Sequence, residues 1–114
     1  MSTFFPDPIN KLPLADVPFD GSNIRLLQGE EQQLMFMEFS KDVDLAEHSH
    51  AAQWGIVLEG RIDLEIKGVR KSYKKGDRYF IPEGIKHSGK IFAGYADITF
   101  FDEKSRYKKL SQGQ

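Results

Sequence analysis

Short apolar runs of strand length, cut off one after another by glycine-containing turns, constrain the fold of this chain more than any other feature. Asn23 to Gln28, Gln33 to Phe39, Trp54 to Leu58, Arg61 to Lys67, Val69 to Tyr73, Arg78 to Ile81, Lys86 to Phe92 and Tyr95 to Phe101 each read as a strand, being rich in β-branched, aromatic and long aliphatic residues. Gly29, Gly60, Gly68, Gly76, Gly84 and Gly94 fall between them. No segment keeps a helical period for longer than two turns. Eight or nine short strands at near-regular spacing predict an all-β fold, an antiparallel jelly-roll barrel with little or no helix.

Alternation sets the expected faces. Ile62, Leu64 and Ile66 point inward while Arg61, Asp63, Glu65 and Lys67 face solvent. Lys67-Gly68 closes a hairpin, with Gly68 free to take positive φ. Gln33 to Phe39 is apolar on both faces. Trp54, Ile56 and Leu58 share a face opposite Gln53, Gly55 and Val57, and the tryptophan face needs cover, which predicts a homodimer contact. Ser40 to Glu47 reads as a polar connection.

The chain of 114 residues fits one domain. Residues 1–22 hold four of the five prolines with Phe4, Phe5, Ile9, Leu12, Leu14, Val17 and Phe19 between them. They read as an extended arm, not a helix, lying across the barrel or a partner subunit. Residues 23–101 form the barrel, and residues 102–114 a polar tail with a short surface strand or helical turn around Arg106-Tyr107 and then a frayed end.

A net charge of −1 with dispersed Lys and Arg gives no footprint for nucleic acid. The absence of cysteine excludes disulfides, thiolate ligands and a cysteine nucleophile. Met-Ser-Thr-Phe-Phe-Pro-Asp-Pro lacks the basic region and apolar run of a secretory signal, so a cytoplasmic location without membrane attachment is expected.

All three histidines, His48, His50 and His87, lie in two turn-rich segments, Glu47 to Gly60 and Gly76 to His87. At i and i+2 on an extended chain, His48 and His50 present both imidazoles to one side. His87 from a separate strand completes a facial set for one divalent ion, Zn, Ni, Fe or Mn. Gln53 is the candidate fourth donor through its amide oxygen. Its parity fits only if Ala51 and Ala52 form a bulge or kink.

These segments resemble the two motifs of the cupins. The family's second motif, Gly-x5-Pro-x-Gly-x2-His-x3-Asn, is matched by Gly76-Asp-Arg-Tyr-Phe-Ile-Pro82-Glu-Gly84-Ile-Lys-His87, with Ile91 at the asparagine position. The first, Gly-x5-His-x-His-x(3 or 4)-Glu-x6-Gly, is matched by His48-Ser-His50, and by Gln53 followed by six residues and Gly60. Asp42 stands for the leading glycine, the gap after His50 is two residues, and Gln replaces Glu. The resemblance implies a small cupin barrel with His48, His50, Gln53 and His87 as metal ligands.

Three neutral imidazoles and an amide leave the ion's charge uncompensated, which favours a small, oxygen-rich, anionic ligand. The residues leave three readings open. One is a dioxygenase, lyase or isomerase, with Glu38, Glu47, Tyr79, Asp97 or Thr99 as acid or base. Another is a non-catalytic module that binds a small acid or sugar at a structural or sensing metal. A third is a barrel without metal, whose histidines are splayed or hydrogen-bonded to protein.

Overall fold

The computed structural model describes residues 4–110. The expected frayed C-terminal end lies outside the described residues.

Nine strands run in chain order among them: β1 Ser22–Gln28, β2 Gln33–Phe39, β3 Val43–His48, β4 Gln53–Glu59, β5 Arg61–Ile66, β6 Val69–Lys74, β7 Arg78–Ile81, β8 His87–Ile91 and β9 Tyr95–Phe101. They make a five-stranded sheet ordered β1-β2-β9-β4-β7 and a four-stranded sheet ordered β3-β8-β5-β6. Every strand pairing is antiparallel. From β2 to β5, and again from β6 to β9, successive strands cross from one sheet to the other, which gives the jelly roll.

The core lies between the sheets. Met35, Met37, Phe39, Val57, Tyr95 and Phe101 of the larger sheet pack in one cluster with Ile62, Leu64 and Ile91 of the smaller. Each such side chain contributes about 1.5–3 kcal/mol on full burial. The β5–β6 hairpin turns on Lys67 and Gly68, at φ of 54° and 78°. Two successive positive φ values match the twist of the paired strands.

The N-terminal arm packs on its own sheet, setting Phe5 on the outer face and then running along the edge of β1, where Ala15 N–H donates to Ile24 O at 2.9 Å and Leu26 N–H to Pro13 O at 2.8 Å. Phe5 meets Phe36 edge-on, with ring centres 5.7 Å apart. Leu14 bridges to Arg25, and Ala15 to Lys109 of the C-terminal segment. The arm is not wholly extended, because Asp7–Asn10 forms one helical turn. Pro8 falls in that first turn, where an N–H has no intrahelical acceptor to lose.

Three further expectations are corrected. The segment expected to be a polar connection contains β3, because Val43 and Leu45 alternate with Asp44 and pack on the core. Asp63 is only 6% exposed rather than in solvent. The Arg61 guanidinium pairs with both of its oxygens at 2.9 Å, and Ser72 donates to it at 2.6 Å from the facing strand. Those contacts hold its carboxyl down at about 2, the Arg61 bonds acting most strongly.

The tail is not confined to the surface either. Gln33, 1% exposed, grips it by donating to Tyr107 O at 2.7 Å and accepting from Tyr107 N–H at 3.1 Å. Replacing Gln33 by Leu strands both backbone groups. Chemical denaturation is expected to show a loss of about 2–3 kcal/mol, and an unchanged midpoint would show that the grip contributes nothing.

Candidate metal centre

His48 closes β3 and pairs in register with His87, the first residue of β8, after an irregularity between Leu45 and His48. His50 lies past the end of β3, in the connection to β4, so the two nearby histidines do not share one regular strand. That connection is fixed on several sides. Gly84 N–H donates to His50 O at 2.9 Å, Asp102 N–H to Ala52 O at 2.9 Å, and Ala51 N–H to Glu103 Oε1 at 3.3 Å. Ala51 and Ala52 thus supply the expected bend, and β4 begins at Gln53.

The three imidazoles converge. Their ring centres lie 4.2 Å (His48–His87), 4.8 Å (His50–His87) and 5.1 Å (His48–His50) apart. One ring nitrogen from each lies within 4.8 Å of those of the other two. Nδ1 of His48 donates to Ala46 O at 2.7 Å, Nδ1 of His50 to Ala51 O at 2.7 Å, and Nδ1 of His87 to Ile85 O at 2.9 Å. A carbonyl only accepts, so each Nδ1 carries a proton, and in the neutral imidazole Nε2 is then the atom with the free lone pair. Anchoring the far nitrogen in this way is how metal-binding imidazoles are oriented.

Burial also favours the neutral form of His50 and His87. It is the main cause that pushes His50 down to about 4, with the charges of Arg106, His87 and His48 acting the same way and the Ala51 bond opposing. His87 is lowered for the same leading reason.

The histidines open on a cavity of about 360 Å³ between the sheets, lined by residues that include His48, His50, Gln53, Tyr79, His87 and Asp97, with Phe39, Ile62, Leu64, Ile81 and Ile91 as apolar wall. Gln53 donates through Nε2 to Tyr79 Oη at 3.3 Å, which leaves its amide oxygen as the donor atom an ion would use. A Cβ at Gly55 would lie 2.4 Å from the Tyr79 ring, so the glycine makes room for the tyrosine.

Tyr79 leads into a buried network. Its hydroxyl is 3.3 Å from both Asp97 Oδ2 and Thr99 Oγ1, Thr99 donates to Asp97 Oδ1 at 2.9 Å, and Tyr95 donates to Asp97 Oδ2. Burial pushes the Asp97 carboxyl up to about 6 against these three bonds. Of the other acid–base candidates, Glu47 lines the cavity, whereas Glu38 accepts from Asn23 near the N-terminal arm.

Arg106, Phe101 and Tyr107 also line the cavity. Sequence reasoning did not place them there. The one signal was a tyrosine and an arginine side by side in an otherwise polar tail.

In metal-free protein His50 ties stability to pH. The unfolded chain takes up a proton near 6.5 while the folded His50 resists it down to about 4, so stability falls as pH drops through that window. The raised Asp97 carboxyl acts in the opposite sense. The readout is therefore the difference between wild type and His50→Gln. Melts from pH 7.5 to 4 are expected to fall less steeply in the variant, and parallel curves would contradict this.

A family profile for the cupin domain matches residues 35–100. No curated protein sequence matches the chain. Among solved structures, an RmlC-like cupin from Shewanella frigidimarina is similar at 23% identity and a TM-score of 0.71, over 92% of this chain and 94% of that one. KdgF from Halomonas sp. is similar at 16% identity and a TM-score of 0.67, over 80% and 87%. A variant of oxalate decarboxylase from Bacillus subtilis is similar at 20% identity and a TM-score of 0.69, over 86% of this chain but 30% of that one. The matched residues hold both histidine motifs, the six strands β3 to β8 in full and β9 up to Phe100, and the chain belongs to the cupin domain family.

Proposed function

We propose that this cupin holds one divalent ion, Zn, Ni, Fe or Mn, on His48, His50 and His87 with Gln53 as fourth donor, and binds a small anionic molecule beside it. The observation that carries this reading is the convergence of three imidazoles whose Nδ1 atoms are all anchored to backbone carbonyls. The reading without metal required histidines splayed or bonded to protein. They are bonded to protein through one nitrogen only, and their rings cluster. Oxalate decarboxylase of Bacillus subtilis, similar at 20% identity, has Mn(II) centres, which lends support at the level of the fold.

A bound ion would act as a Lewis acid on a coordinated oxygen. Around it, Gln53 orients Tyr79, burial disfavours protonation of His50 and His87, and the apolar wall excludes water. A dioxygenase, lyase or isomerase needs an acid or base free to move a proton. Asp97, Tyr79 and Thr99 are bonded to one another, which weighs toward the second reading, a non-catalytic binding module, and leaves Glu47 of the cavity wall as the acid–base candidate for the first.

Elemental mass spectrometry on untagged protein tests the site. Near-stoichiometric metal is expected in wild type and background in a His48→Ala, His87→Ala double variant. No metal above that background after reconstitution would overturn the reading.

We also propose a homodimer through the larger sheet. Leu27, Leu34, Phe100, Trp54 and Phe80 are register partners in turn across all five of its strands. Phe80 is 57% and Leu27 48% exposed, so the row is an open apolar stripe. Light scattering at micromolar concentration is expected to give twice the 13.1 kDa chain mass, and monomer in Trp54→Arg. A monomeric wild type would sink the idea.

A further inference from the structure

The C-terminal segment brings a cation to the cavity wall, Arg106. Arg106 Nε is buried without a hydrogen-bond partner among the described residues, and no ion pair there involves Arg106. With no ion-pair partner among the described residues, the guanidinium is a charge in the cavity wall, and an anionic ligand would balance it.

Its position is built. The guanidinium lies 4.4 Å from the Tyr107 ring centre and 5.8 Å from that of Phe101. Phe101 in turn meets the His50 ring edge-on at 5.5 Å. Gln33 holds the Tyr107 backbone from below with two hydrogen bonds. Arg106 and the histidine cluster therefore meet across one aromatic ring.

Much of the remaining wall is hydrocarbon, including Phe39, Ile62, Leu64, Ile81 and Ile91. A sugar acid would bury hydroxyl groups against it with too few partners, which disfavours binding. An acid with an apolar body loses nothing there, and about 360 Å³ is within the range of small-molecule sites.

We propose that Arg106 is the carboxylate anchor of this cavity, and that the ligand is a small organic acid with an apolar body, such as a branched 2-oxo acid, rather than a sugar acid. The guanidinium fork takes the carboxylate, while the hydrocarbon end lies against the sheet interior. The choice of an acid with an adjacent oxygen rests on the metal reading, since that oxygen would face the ion. The role of Arg106 does not rest on it.

The test is calorimetric titration of 4-methyl-2-oxovalerate and of galacturonate into untagged, metal-reconstituted wild type, Arg106→Gln and Arg106→Lys. Metal content and a thermal melt are recorded for each protein. The expected result is saturable binding of the oxo acid to wild type, weakened about tenfold or more in Arg106→Gln at equal metal content. Arg106→Lys should fall between, since a point charge lacks the fork. Galacturonate should bind wild type more weakly than the oxo acid. Equal oxo-acid affinity in wild type and Arg106→Gln would overturn the proposal, as would tighter galacturonate binding or no binding of either acid at millimolar concentration. If wild type takes up no metal, the metal reading falls alone. The same comparison on metal-free protein then decides the anchor, with a tenfold loss sustaining it and equal affinity overturning it.

Discussion

Polar groups inside a sandwich of this size must find partners, because burying an unsatisfied amide, imidazole or carboxylate costs more than any single apolar contact returns. Each buried polar side chain at the centre of the molecule follows from that constraint. The histidines satisfy Nδ1 on carbonyls of their own connections. Asp97 collects three hydroxyls. Gln33 uses both ends of its amide on Tyr107 and adds a bond to Gln28. Among the described residues only Arg106 Nε stands outside the pattern.

Strands and turns were legible because their signals are local. Period-two alternation in Arg61 to Ile66 and the Lys67-Gly68 pair fix a hairpin without reference to the rest of the chain. What sequence reasoning misjudged depended on neighbours. β3 was hidden because two apolar residues among charged ones look like a loop until β8 supplies the other half of the ladder. Asp63 does lie on the outward face, as alternation requires, but the side chains of Arg61, Arg70 and Ser72 close over it. Long cationic stems cover surface that a binary reading assigns to water.

The site shows the same division. The spacing of His48 and His50 and the turn before His87 marked the cluster, because a chain with three histidines leaves little choice. The cavity wall was not legible, since the C-terminal segment reaches it through a contact between Gln33 and Tyr107, 74 residues apart. No window of local sequence contains both partners. The buried network around Asp97 was half visible. A carboxylate between Ala96 and Ile98 interrupts an apolar strand, but the two tyrosines that satisfy it come from β7 and from the start of β9 itself.

The N-terminal arm and the C-terminal segment also bind one another, with Asp16 N–H donating to Lys108 O at 2.8 Å and Leu110 N–H to Leu14 O at 2.7 Å. The two ends of the chain are therefore laced together beside β1, whose outer edge would otherwise be a free template for strand addition. Lacing of this kind has a consequence in time. During synthesis the histidine cluster is complete once β8 has left the ribosome, but the lacing and the Arg106 wall wait for residues 106–110. The nascent protein thus passes through a stage with an assembled sandwich, an open cavity mouth and a bare sheet edge, and its exposure to misassociation ends only when those residues dock.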